Sequence, residues 1–472
     1  MIDLLIRGGT VVTVGGSRRA DVAVDGGRIV AVEPELGEQH ASGAREIVDA
    51  TGLLVLPGCV DVHTHVRVPT DAEPDRFFQD SVAAAFGGTT SFLVFNTPST
   101  GGTTGGTTPV TSSLVQNLDN WRRLTENDSA VDYGVSLVVM GQIGDPVAEI
   151  PAIVDAGVPT AKAFMVYDFR LPDRTLFETM RALGQRGGML EVHCEDPVII
   201  DTGVEAALAR GETAPRYHAS SRSREAEAVA THRAMEFARA SGAPAHAVHL
   251  SNAAALEEIR RARAAGVAAH AETCPHYLTL TEDRYLDPDP ARVIGAVISP
   301  PLRPASDRDA MWAGLADGTL DLVATDHVPD RLDREKLLPA PPFDQISNGA
   351  PGIETLLALV YGGGVAKGRL TLERMVDVLA TTPARLFGLG SKGSIETGKD
   401  ADIVLFDPAA SRTIRAADLH HTSDYTAYEG IDVEGAVRSV FVRGRPVIRD
   451  GAFVGERGFG RFIERRLVDG IA

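Results

Sequence analysis

Short alternating runs at both ends of the chain enclose a middle of a different kind. Residues 1–55 read DLLIRGG, TVVTVGG and DVAVDGGRIVAVE, β-type stretches closed by Gly turns. The same grammar returns late in the chain, in KGSIETGKDADIVLFDP and AVRSVFVRGRPVIRDG. Between them lie eight apolar strand candidates: VDVHTH, TSFLVF, YGVSLVVM, TAKAFM, MLEVHC, HAVHLS, VAAHAET and LDLVATD. Amphipathic stretches such as REAEAVATHRAMEFARA and NAAALEEIRRARAAG separate several of them. The pattern predicts an α/β protein: a (β/α)8 TIM barrel with a small β-sandwich formed by both chain ends. The expected boundaries are 1–55 and 386–455 for the two sandwich parts, 56–385 for the barrel and 456–472 for a C-terminal tail.

Chemistry-bearing side chains gather where these strands end. His63 and His65 are two apart, so in a strand both imidazoles face one side. Lys162, His193, His249 and Asp326 each close a later strand candidate. In a parallel barrel the active site forms at that end of the strands. Four imidazoles, a carboxylate and a lysine suit a site for two divalent ions, with zinc the first expectation and other divalent metals possible. An ammonium would repel two dications, whereas a Lys162 carboxylated by CO2 becomes a carbamate whose two oxygens can each bind one ion. Metal lowers the pKa of water towards ~7, which makes a bridging hydroxide the expected nucleophile. Asp326 is then both ligand and proton carrier.

Composition narrows the class further. The 472 residues are 44% hydrophobic and 23% charged, as in ordinary globular proteins. A formal charge of -18 argues against nucleic acid or an anionic membrane as partner. No apolar run approaches the ~20 residues that span a bilayer. The N-terminus lacks the form of a signal peptide. Three cysteines fit a reducing compartment, so a cytoplasmic enzyme acting on a small molecule is expected. Cys194 should point away from its neighbour His193 and pack. GGTTGGTTP at 101–109 reads as a surface loop, because no phosphate-binding pattern completes it.

The chain resembles the amidohydrolase superfamily nearly end to end, and within it the dihydropyrimidinase/hydantoinase branch. The resemblance rests on PGCVDVHTH, FFQDSVAAAFGGTTSF, KAFMVY, AETCPHYL, SPPLR, SNGAPGIE, DADIVLFDP, HHTSDYTAYEG and DGAFVGERGFGRF. It implies that His63, His65, Lys162 and Asp326 hold one zinc, and that Lys162, His193 and His249 hold the other. It makes Lys162 an N6-carboxylysine and Tyr167 a donor to the oxyanion. Ser299 and Asn348 fall where backbone groups grip a cyclic amide. It also implies a homo-oligomer, tetramer or dimer, with the tail in a subunit contact. The reaction implied is hydrolysis of a dihydropyrimidine or 5-substituted hydantoin ring to an N-carbamoyl amino acid.

Some residues depart from that branch. Arg67 makes the first motif H-T-H-V-R, a pattern similar to dihydroorotases, where the arginine holds a substrate carboxylate. The competing expectation for Arg67 is a loop residue paired with Asp71, Glu73 or Asp75. Asn96 resembles a carboxylate-holding asparagine of the same enzymes. These residues, with Phe164, leave open an allantoinase or other ureide or acidic-ring hydrolase. A non-catalytic relative would have lost metal ligands, and here all six positions are filled. Arg170 is expected to be exposed, His246 to face away from the site, and His420 and His421 to serve packing or subunit contact. His276 carries no assigned role.

Overall fold

A computed structural model describes residues 2–37, 43–97, 113–141, 143–337, 339 and 341–468. The loop at 101–109 therefore lies outside the described residues.

Both chain ends build one sheet. Strands β1 (Leu4–Thr13), β2 (Gly16–Asp25), β3 (Arg28–Glu33), β4 (Glu46–Asp49) and β5 (Leu54–Pro57) come first. Then follow the barrel strands β6 (Cys59–Thr64), β7 (Thr89–Asn96), β8 (Asp132–Val138), β9 (Thr160–Phe164), β10 (Met189–His193), β11 (Ala245–Ala247), β12 (Ala269–Thr273) and β13 (Leu322–Val323). Last come β14 (Ile403–Thr413), β15 (Asp432–Val442), β16 (Arg445–Arg449) and β17 (Ala452–Phe453). The sandwich sheet runs β17-β16-β15-β14-β5-β1-β2-β3, with β4 on β1. Antiparallel pairing of β5 with β14, from Leu54↔Phe406 to Pro57↔Ile403, joins the two ends of the chain. Its core takes Leu4, Ile6, Val22 and Val24 from one end and Ile403, Leu405 and Phe441 from the other.

The eight middle strands are the eight expected, in the parallel order β6 to β13. They are buried almost throughout, as strands covered by helices on one side and barrel interior on the other must be. Closure comes from a parallel bridge between Thr64 and His327 and from His65 N–H donating to the His327 carbonyl at 2.8 Å. Asp61 adds to it by accepting from Thr325 N (3.0 Å) and Thr325 Oγ1 (2.5 Å).

Helices start soon after two of the candidate ligands. Asp196 caps the helix Pro197–Ala209, accepting from the amides of Val198 and Ile199. Asn252 caps Ala253–Ala264, accepting from Ala254 and Ala255. Each cap is worth about 1 kcal/mol and pins a strand-to-helix loop a few residues from His193 or His249. At the opposite end of the barrel the tail folds back along its own chain. Ile463 N–H bonds to Tyr133 O and Arg465 N–H to Gly157 O, both at 2.8 Å.

Candidate active site

One cavity of about 590 Å³, open at the C-terminal ends of the barrel strands, is lined by every residue singled out for the site: His63, His65, Lys162, His193, His249 and Asp326, with Arg67, Asn96, Phe164, Tyr167, Ser299 and Asn348. Its size suits a single small ring.

His63, His65 and Asp326 form the tightest group, with one donor atom from each lying within 4.8 Å of the others. His63 Nε2 and His65 Nε2 lie 2.9 and 3.1 Å from the same Asp326 oxygen. Opposite them His193 Nδ1 and His249 Nε2 face each other at 2.8 Å. Lys162 is 1% exposed, its ammonium 4.3 Å from the Phe95 ring centroid.

Backbone conformation shows where this convergence is costly. Tyr167, His249 and Asp326 have φ of 76°, 43° and 48°. The left-handed region disfavours side chains with a Cβ, and such conformations persist only where the surroundings enforce them. Three of the site's own residues lie there. The turn at His249 lies just beyond β11. With β11 ending at Ala247, strand alternation does not carry through to His249. His246 is fully buried, bonds Glu272 Oε2 at 3.0 Å and is absent from the cavity lining.

Three charged residues that sequence reasoning missed support the ligands. Glu272, at the end of β12, accepts from His63 Nδ1, from His246 Nε2 and from the His249 amide (3.3 Å). Glu195 binds His193 Nε2 at 2.7 Å, which turns Nδ1 of that ring towards His249. Arg222 pairs with Glu195 at 2.6 Å and reaches the Tyr167 hydroxyl at 3.4 Å. The available signal was an acid two residues after His193 and another at a strand end in AET; Arg222 had none. Tyr167 also bonds towards Ser299.

Burial decides the protonation states. It holds His65, His193 and His249 below the ordinary imidazole range, so they offer lone pairs. It also disfavours charge on His63, but Asp326 and Glu272 outweigh it and lift this histidine to about 9. Burial pulls Lys162 down to about 8 against the pull of Asp326, Glu272 and Glu191. It raises the Tyr167 phenol, which stays protonated and able to donate. Cys194 is a packed thiol, pushed up to about 12 by burial.

Arg67 is not paired with Asp71, Glu73 or Asp75. It donates to Asp330 and, at 2.6 Å, to Glu335. Asn96 is 3% exposed, and its Nδ2 has no partner among the described residues. Arg170 is exposed and bonds the Tyr167 carbonyl. His420 stacks on Phe86 at 3.6 Å and bonds Glu354, and His421 is buried, so both pack within the chain. His276 is buried against Tyr277 and is absent from the cavity lining.

A barrel that gathers these side chains at its strand ends has the form of an amidohydrolase, and residues 168–447 match the model of the amidohydrolase family; the chain belongs to that family. Within it the chain is a cyclic amidohydrolase of the dihydropyrimidinase/hydantoinase branch. It is 38% identical to a D-hydantoinase of Streptomyces coelicolor, over 98% of this chain and 97% of the relative. It is 36% identical to a D-phenylhydantoinase of Escherichia coli K12, over 98% of each. The crystal structure of a dihydropyrimidinase from Brevibacillus agri superposes with a TM-score of 0.91 at 38% identity, covering 99% of both chains. No helix among the described residues is long and apolar enough to cross a membrane.

Proposed function

We propose that this protein hydrolyses an uncharged dihydropyrimidine or 5-substituted hydantoin ring to an N-carbamoyl amino acid, using two divalent ions, zinc foremost. The observation that carries the reading is the meeting of His63, His65 and Asp326 opposite the facing nitrogens of His193 and His249, with Lys162 in the same cavity. The residues fit the metals on their own chemistry. His63 Nε2 and His65 Nε2 converge on one Asp326 oxygen, His249 Nδ1 is buried without a hydrogen-bond partner among the described residues, and Glu272 and Glu195 hold the other nitrogens of His63 and His193, as supporting carboxylates do for metal-binding imidazoles.

His63, His65 and Asp326 would hold one ion, His193 and His249 the other, and Lys162 as a carbamate both. The low pKa of Lys162 favours that modification, because only the neutral amine attacks CO2. When bound, such ions lower the pKa of water to furnish a hydroxide and polarise the scissile carbonyl. Asp326, held ionised by His63 and His65, takes the proton from the attacking water and returns it to the leaving ring nitrogen. Tyr167 donates its phenolic proton to the oxygen that gains charge, and Arg222 at its hydroxyl steadies that donor. Backbone groups at Ser299 and Asn348 grip the ring amide.

Arg67 separates this reading from an acidic-ring hydrolase. Its guanidinium already faces two carboxylates, Asp330 and Glu335, which offset its charge and make it a weaker anchor for a substrate carboxylate.

The test is chelation and reloading. Chelator-treated protein should lose ring opening of hydantoin and dihydrouracil, and zinc with bicarbonate should restore it. Full turnover by metal-free protein would overturn the metal reading.

A further inference from the structure

Lys336 belongs to none of the groups above, yet it is fully buried (0% exposed) a short way from the cavity. Its Nζ donates to the Val297 carbonyl at 2.8 Å and to the Ser347 carbonyl at 2.6 Å. Those carbonyls belong to two segments distant in the chain. Val297 precedes Ser299 by two residues, and Ser347 is the neighbour of Asn348. Gly349 N–H adds a direct link between the segments, donating to Val297 O at 3.0 Å. Gly349 has φ of 145°, and a Cβ there would lie 2.5 Å from the Val328 side chain, so only glycine allows this approach. Tyr425 OH reaches Gly349 O at 3.3 Å from the other side.

The lysine is itself braced. Its amide bonds Arg331 O at 3.0 Å, and Glu335 Oε2 accepts from Arg331 N at 2.9 Å, closing a turn over 331–336. Arg67 holds that turn from the strand β6 side through Asp330 and Glu335. Two cations, Arg67 and Lys336, thus stand against two anions, Asp330 and Glu335. Burial pulls Lys336 down to about 8 while Asp330 and Glu335 raise it.

We propose that Lys336 is a positioning residue for substrate binding: its ammonium clamps together the two backbone segments, around Ser299 and around Asn348, that grip the cyclic amide, and Arg67 anchors the clamp to the metal-ligand strand. A buried ammonium shared by two carbonyls fixes their separation more firmly than a neutral contact does. This gives Arg67 a use that needs no substrate carboxylate. The inference rests on the cyclic-amide reading and deepens it.

The experiment compares zinc-loaded wild type with Lys336→Met, which keeps the stem and removes the charge. The expected result is a KM for hydantoin or dihydrouracil raised about tenfold with kcat within about twofold, the signature of lost ground-state grip. Metal content should not change, and hydrogen exchange should quicken in peptides covering 296–302 and 344–350. Should the Met variant not fold, Lys336→Gln, with N–H donors but no charge, should show the same directions to a smaller extent. A folded variant with wild-type KM and exchange would overturn the clamp, as would kcat and metal content falling together. Wild type that opens no ring would instead overturn the functional reading, while the exchange comparison still judges the clamp.

Discussion

At the scale of single residues, the site is a set of imidazoles and carboxylates that converge on one cavity, with Glu272 and Glu195 on the outer nitrogens of His63 and His193. Glu272 is the most connected of the supporting groups, touching a ligand from each half of the site and His246 besides. Glu272→Ala should weaken metal binding by about 10- to 100-fold, measured by competition with a chromophoric chelator. Unchanged affinity would show that His63 orients itself. Tyr167→Phe should lower kcat by about 10²-fold with metal content intact, because it removes a donor to the developing oxyanion; wild-type kcat would remove the phenol from the reaction. Lys162→Ala should abolish activity and lose at least one of the two ions by elemental analysis, and a fully active variant would exclude the bridge. Residues with these roles were legible only when their type was rare in the setting, such as HxH or a lysine ending an apolar strand. Glu272 and Arg222 were not, because their partners His63, His246, Glu195 and Tyr167 lie on other elements, and Glu195 left only the faint signal of an acid two residues after His193.

At the scale of elements, the barrel strands stood out because each is a short apolar run buried on both faces, bounded by polar or Gly turns. Strand alternation placed His63 with His65 correctly. It does not reach His249, because β11 stops at Ala247 and His249 takes a left-handed turn that side-chain periodicity cannot announce. The tail makes a second element-level contribution. Arg465 is 1% exposed and donates to Phe387 O (3.1 Å), Val135 O (2.6 Å) and Thr160 Oγ1 (2.9 Å), joining β8, β9 and the chain after the barrel. Arg465→Met leaves those acceptors unsatisfied and should cost about 1–3 kcal/mol, read as a lower midpoint in urea unfolding. An unmoved midpoint would mean the tail merely rests on the barrel.

At the scale of the whole molecule, two distant chain ends share one sheet, and the barrel between them brings His63, His65, Lys162, His193, His249 and Asp326 from five strand ends to one cavity. The class of reaction was legible because those ends recur at intervals that a (β/α)8 alternation alone explains. The ring was less legible. H-T-H-V-R suggested a carboxylate-bearing substrate, and only the spatial neighbours Asp330 and Glu335, more than 260 residues away in sequence, show that Arg67 is already engaged. The most direct measurement is kcat/KM of the zinc- and bicarbonate-treated protein on dihydrouracil, hydantoin, allantoin and dihydroorotate under one set of conditions. Turnover of dihydrouracil or hydantoin, with dihydroorotate untouched, is the predicted result. Preference for dihydroorotate would contradict the account and return Arg67 to the substrate carboxylate, whereas preference for allantoin would move the assignment to a ureide-bearing hydantoin.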